Sequence, residues 1–179
     1  MTTPPDPELT LALDNFALGE SETLLHLDGV EAFSRAQLRL IQQAKRKLFI
    51  LTPDFEPERY NEPEFAEALS AFVRRSRFTD ARILVGDPAI AIRWGHHVVT
   101  LARRLSSNLK IRQLQDDDAR TRESWMVADE IGMLRREGPD VLKGTLSAKS
   151  IPHAQRAHRH FIEMWERSTE VPDFRQLHL

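Results

Sequence analysis

The chain has 179 residues, 41% of them apolar and 29% charged, with a net charge of −2 and no cysteine. That length suits one domain with a sizeable core, and the missing cysteines exclude disulfides, thiolate chemistry and Cys-based zinc sites. No apolar run approaches the roughly 20 residues that span a bilayer, and the N-terminus M-T-T-P-P-D-P-E has neither a basic n-region nor an apolar h-region, so a cytoplasmic protein of bacterial type is expected.

Charge is unevenly placed. Residues 1–31 hold seven acids and no Lys or Arg, whereas residues 32–179 hold 25 bases and 20 acids, a net of +5. The acidic residues 1–20, with Pro4, Pro5 and Pro7, are expected to be a mobile or loosely docked leader. That leader is either solvated or laid over a basic groove of the body. Residues 21–179 are read as a single domain.

In chain order, residues 23–27 suggest a strand ended by Asp28-Gly29. Residues 30–45 have helical spacing, with Phe33, Gln37, Leu40, Ile41 and Ala44 on one face. Residues 48–52 are a strand of buried type, stopped by Pro53. A long loop to Pro63 opens a helix to about Arg77, with Phe65, Ala68, Leu69, Phe72 and Val73 inward. A strand at 81–85, a helix at 96–107 and a strand at 109–114 follow. Residues 122–136 then read as two short strands around the reversal Asp129-Glu130-Ile131-Gly132, with Gly132 free to take positive φ. Residues 141–146 are ambiguous, and 151–168 form a final helix burying Ala154, Phe161 and Trp165. Such alternation predicts an α/β fold: a mixed, mostly parallel sheet, helices on both faces, and a C-terminal antiparallel hairpin.

Several stretches sit in a definite order on these elements. K-L-F-I-L-T and A-R-I-L-V-G-D each follow a helix, and G-H-H-V-V-T-L-A-R-R-L precedes K-I-R-Q-L. W-M-V-A-D and H-F-I-E-M-W come last. In this, residues 30–170 resemble one half of a phospholipase D-like protein. The chain is also similar to a group of bacterial proteins in which such a domain is sometimes fused to an acetyltransferase, which implies an acetyltransferase-type partner. Active members of the superfamily carry H-x-K-x-x-x-x-D on the hairpin's first strand, the His attacking phosphorus and the Lys stabilising the phosphoryl oxygens. Counted back from Asp129, those positions hold Arg122 and Ser124, and Arg135 and Arg136 stand where Gly-Ser is usual. A guanidinium stays protonated and cannot attack phosphorus. The resemblance thus implies a degenerate half, inactive by the family mechanism. Active single-half members build their site across a two-fold dimer, which implies a homodimer with the hairpin near its axis. Trp125 and the strand ends, left partly uncovered, would supply the apolar patch, unless the acidic leader covers that face.

Other residues bear chemistry of their own. His96 and His97 follow Gly95 at a helix start, where an anion is favoured and a His acts as base or ligand, or else caps and packs. His153, His158 and His160 lack the i,i+4 spacing of a zinc helix, so no metal is expected. Arg103, Arg112, Arg122, Arg135 and Arg136, with His96, are candidates for an anion pocket, since arginine forks bind phosphate or carboxylate. The bland alternative is solvated or ion-paired arginines. There is no Gly-rich phosphate loop and no nucleophile elbow, so no cofactor is expected. The first reading is therefore a non-catalytic domain binding an anionic small molecule, phosphate group or protein partner. The second is an enzyme built from Asp54, Asp87, His96 and Asp129 at the strand ends. The third, a nucleic-acid accessory domain, rests on the +5 body alone.

Overall fold

The computed structural model describes residues 6–20, 22–138 and 140–174. The chain opens with α1 (Pro7–Asp14), capped by the Asp6 carboxylate, which accepts from the Glu8 N–H at 2.9 Å. β1 (Leu24–Asp28) and α2 (Val30–Gln43) follow. Leu13 and Phe16 are buried, and Arg39 of α2 donates to the carbonyls of Leu13 and Asp14. Two side chains of the segment expected to be mobile or loosely docked, Leu13 and Phe16, thus join the core, while most of residues 6–20 stay exposed or half-buried. Residues 1–5 of that leader lie outside the described residues.

The middle of the chain alternates strands and helices. β2 (Lys47–Thr52) leads through one helical turn, α3 (Pro57–Tyr60), into α4 (Pro63–Arg74), each helix starting on a proline that has no N–H to leave unpaired. β3 (Asp80–Val85), α5 (Ala89–Trp94), α6 (His97–Arg104) and β4 (Leu109–Gln113) come next. The chain ends with β5 (Trp125–Ala128), β6 (Gly132–Arg136), β7 (Lys143–Ser147), α7 (Ile151–Arg167) and the two-residue β8 (Thr169–Glu170).

These strands form one sheet in the order β1-β7-β6-β5-β2-β3-β4-β8. The α/β class, mixed sheet and helices on both faces are as expected. The sheet is mostly antiparallel, however, not mostly parallel. Only β2–β3 and β3–β4 run parallel. The cause is the stretch 141–146, which resembles neither helix nor strand by pattern. It forms most of β7, whose short connection to β6 permits only antiparallel pairing. β7 then occupies the place beside β1, so β1 never reaches β2.

Side-chain alternation fixes the two faces. Leu48, Ile50, Met126, Ala128 and Leu134 join the cluster built with α1, α2, α4 and α6. Phe49, Leu51, Trp125 and Val127 join Ala154, Phe161, Met164 and Trp165 of α7. Trp125 is only 4% exposed, with the Phe161 ring edge-on at 5.9 Å. Trp125, expected to be part of a homodimer's apolar patch, is therefore covered by α7 of the same chain.

The β5–β6 turn differs from expectation in one respect. Positive φ falls on Asp129 (54°) and Glu130 (59°), and Ile131 N–H closes on the Ala128 carbonyl at 3.0 Å. Gly132 is already in β6 and is needed for space: a Cβ there would stand 2.3 Å from Leu18 Cδ1.

Candidate functional site

β2 and β5 pair antiparallel, with Leu51 opposite Trp125, so Ser124 lies beside the C-terminal end of β2. The chain beyond β2 turns back there through Phe55, which takes φ 53° with its ring fully buried. This reversal brings α3 over Ser124. Arg59 of α3, 3% exposed, donates to Glu56 Oε2 at 3.1 Å, to Ser124 Oγ at 3.3 Å and to the Tyr60 hydroxyl at 3.3 Å. Its guanidinium also lies 5.2 Å from the Phe33 ring centre and 5.0 Å from that of Tyr60. Arg136 of β6 takes the other Glu56 oxygen, Oε1, and gives its Nε–H to the Val141 carbonyl at 2.9 Å. One carboxylate thus bridges two arginines from different elements.

Asp54 completes the cluster. Burial, and then the Glu56 charge, push its carboxyl above the ordinary carboxylate range, opposed more weakly by Arg136 and Arg59. Thr52 Oγ1, Asp54 Oδ1 and Arg59 Nε are buried with no hydrogen-bond partner among the described residues. Arg122, Ser124, Arg135 and Arg136 wall an adjoining cavity of about 250 Å³, together with Glu123 and Glu137. Arg122 is exposed and faces the exposed Asp140 at 3.4 Å.

The remaining arginines lie elsewhere. Arg103 and Arg112 line a groove of about 570 Å³ along β4, with Lys110 and Trp165. Arg103 donates to the Asp173 carbonyl and Arg112 to that of Ser168, while Arg112 stacks 5.4 Å over the Trp165 ring. His96 and Arg103 also border a third hollow of about 630 Å³. The arginines grouped by sequence into one candidate pocket are therefore divided between two regions.

The four residues of the enzyme reading are not gathered either. Asp129 accepts from the backbone N–H groups of Lys45, Arg46 and Lys47 at 2.7, 2.8 and 2.8 Å, tying the hairpin turn to the start of β2. It stands five residues from Ser124 along the strand, roughly 17 Å at strand rise, so it is a structural tie and not part of the cluster. Asp87 caps the Ala89 N–H at 2.9 Å, at the start of α5. His96 Nδ1 accepts from the Val98 N–H at 3.2 Å, capping α6, while its ring packs 4.9 Å from Phe55. Burial, helped by His97, lowers its pKa to about 4, so it is neutral near pH 7. Only Asp54 meets the arginine cluster. Among the described residues no His–Asp pair is hydrogen-bonded, and no group of three or more His, Asp or Glu is placed to hold a metal ion.

Sequence reasoning missed Arg59 and Glu56. The one available signal was P-E-R-Y, an arginine beside the chain's single tyrosine, flanked by prolines in a loop too long to be idle.

A model of a family described as a domain of unknown function, DUF7931, matches residues 29–177. The chain belongs to this family. No curated protein matches it. Among solved structures, the DUF7931 fold is similar to Nuc from Salmonella typhimurium, a phospholipase D family member, with a TM-score of 0.61 and 12% identity over 83% of this chain and 97% of that one. NucT from Helicobacter pylori gives 0.62 and 12% over 83% and 98%. TrmBL2, an archaeal chromatin protein with a novel mode of DNA binding, gives 0.64 and 14% over 95% of this chain and 57% of its own. These likenesses show a phospholipase D-like α/β fold. No helix among the described residues is long and apolar enough to cross a membrane.

Proposed function

We propose that this domain is non-catalytic and binds an anionic group, on a small molecule or a protein partner, through the arginine-lined cavity of Arg122, Arg135 and Arg136. The observation behind this reading is the ion-pair network beside Ser124. Ser124, at the position of the family lysine, is buried against Arg59, and Glu56 bridges Arg59 to Arg136. By the resemblance Arg122 takes the nucleophile position, and a guanidinium cannot attack phosphorus. Arg135 is exposed and its side chain makes no hydrogen bond or ion pair with the described residues, so its fork is available to an anion.

The test has two arms. Purified protein should not turn over bis-p-nitrophenyl phosphate or DNA, and calorimetric binding of inorganic phosphate should weaken at least tenfold in an Arg122→Ala, Arg135→Ala double variant. Turnover abolished by Arg122→Ala would overturn the mechanistic argument. Phosphate affinity untouched by the double variant would remove the pocket. A second reading, a nucleic-acid accessory domain, is favoured by the net +5 of residues 32–179. It predicts duplex binding whose affinity falls steeply with salt, and Lys110→Glu should weaken that binding more than Arg122→Ala does.

A further inference from the structure

We propose that Glu56 is a resident surrogate ligand. Arg59, Ser124 and Arg136 form an oxyanion cradle that the chain's own carboxylate holds closed, and an incoming carboxylate or phosphate group opens it by replacing Glu56. This rests on the anion-binding reading above and adds how the site is gated.

The cradle is built without help from Glu56. Tyr60 and Ser124 hold the Arg59 guanidinium by hydrogen bonds, and the Phe33 and Tyr60 rings hold it by contact. The Val141 carbonyl holds Arg136 through Nε. Remove the glutamate and two oriented forks remain, aimed at one place from opposite elements. A carboxylate fits that place because each of its oxygens has its own arginine. Arg59 Nε, buried and unpartnered among the described residues, is a donor that Glu56 does not use.

Glu56 is also placed to leave. It is the last residue before α3 and makes no side-chain cap bond to that helix. Its side chain is 23% exposed, against 3% for Arg59. The route is the cavity of about 250 Å³, whose walls include both Ser124 and Arg136. Departure without replacement would leave the Arg59 and Arg136 guanidiniums with Asp54 as the one acidic group of the cluster, which is unfavourable for a buried cation. The gate therefore opens by exchange of one anion for another.

The experiment is chemical rescue. In the full chain, Glu56→Ala empties the cradle and lowers the melting temperature. Acetate or inorganic phosphate, at ten times its dissociation constant, should then raise it by about 3–6 °C. Chloride at matched ionic strength should not, and wild type, whose cradle is filled by Glu56, should gain less than Glu56→Ala does. Rescue should vanish when Arg136→Ala is added; rescue kept with Arg136→Ala but lost with Arg122→Ala plus Arg135→Ala would assign the anion to the outer cavity alone and overturn this proposal. Rescue by acetate alone assigns a carboxylate-bearing ligand, and rescue by phosphate alone a phosphate-bearing one. Should Glu56→Ala fail to fold, Glu56→Gln keeps the volume and should bind phosphate at least tenfold more tightly than wild type. Absence of anion-specific rescue, or of the affinity gain in Glu56→Gln, overturns the proposal.

Discussion

Two groups of arginines end in opposite electrostatic states. Beside Ser124, the charges of Arg59 and Arg136 meet a carboxylate, and Arg122 faces another. Along β4, Arg103 and Arg112 spend hydrogen bonds on the neutral carbonyls of Asp173 and Ser168, and Lys110 makes no ion pair with the described residues. Glu170 is the single carboxylate in that groove's lining. A count of arginines therefore says little about where a positive field lies. What decides it is whether a fork is oriented by a charge, which cancels it, or by a carbonyl, which does not.

The sharpest way to break this contrast is to remove one arginine from each group. Arg59→Ala leaves Glu56 and Asp54 facing each other in a partly buried site with one cation gone. Loss of one partner of a buried pair costs on the order of 3–5 kcal/mol. Arg103 is exposed, and Arg103→Ala should cost less than about 1 kcal/mol. Chemical denaturation of both variants checks the difference. Equal small losses would mean that the Arg59 network is no more than surface decoration.

The contrast also explains which parts of the molecule were legible in the sequence. Helices declared themselves by spacing: Phe33, Gln37, Leu40 and Ile41 of α2 are all buried, as are Phe65, Leu69, Phe72 and Val73 of α4. β7 did not, because K-G-T-L-S has too few apolar residues to alternate. Its place is set by Gly144, where an added Cβ would stand 2.0 Å from the Arg135 carbonyl. The site was less legible than the fold. Arg135 and Arg136 lie on β6 beside the start of β5, where the hairpin's register puts them. Arg59 and Glu56 reach them from a loop whose path depends on Phe55 at φ 53°, and no pattern announces a left-handed phenylalanine.

The β4 groove can be perturbed through its aromatic wall. Trp165 is 9% exposed and lies under both Arg82 and Arg112, with centroid distances of 5.2 and 5.4 Å. Trp165→Ala should cost about 3–5 kcal/mol and release Arg112 from its preset orientation. A variant melting within a degree or two of wild type would show that α7 does not depend on this contact.

His96 stands between the two regions, its ring against Phe55 and its edge on the hollow shared with Arg103. Its folded-state pKa of about 4 lies below the value of about 6.5 expected when unfolded. The unfolded chain therefore takes up this proton first. The resulting stability is fully present above about pH 6.5 and is lost as pH falls toward 4, at up to about 1.4 kcal/mol per pH unit. His158, also lowered by burial, adds in the same direction. His96→Asn keeps a capping oxygen and should flatten the pH 4–6.5 slope by nearly one proton. A slope unchanged by His96→Asn would mean that another group sets acid stability.

The smallest expected effect is at Arg122. Its partner Asp140 has 86% of its side chain exposed, and Arg122 itself 68%. Water screens such a pair, and ordering two long or mobile side chains offsets most of what remains. Asp140→Asn should therefore change stability by no more than about 0.5 kcal/mol. Phosphate affinity, by contrast, should rise modestly, because the competing carboxylate beside Arg122 is gone. Stability and binding are thus expected to separate at this residue, whereas at Arg59 stability moves by far more. A calorimetric titration of Asp140→Asn showing unchanged or weaker phosphate binding would show that Arg122 does not face the anion, and would restrict the pocket to Arg135 and Arg136.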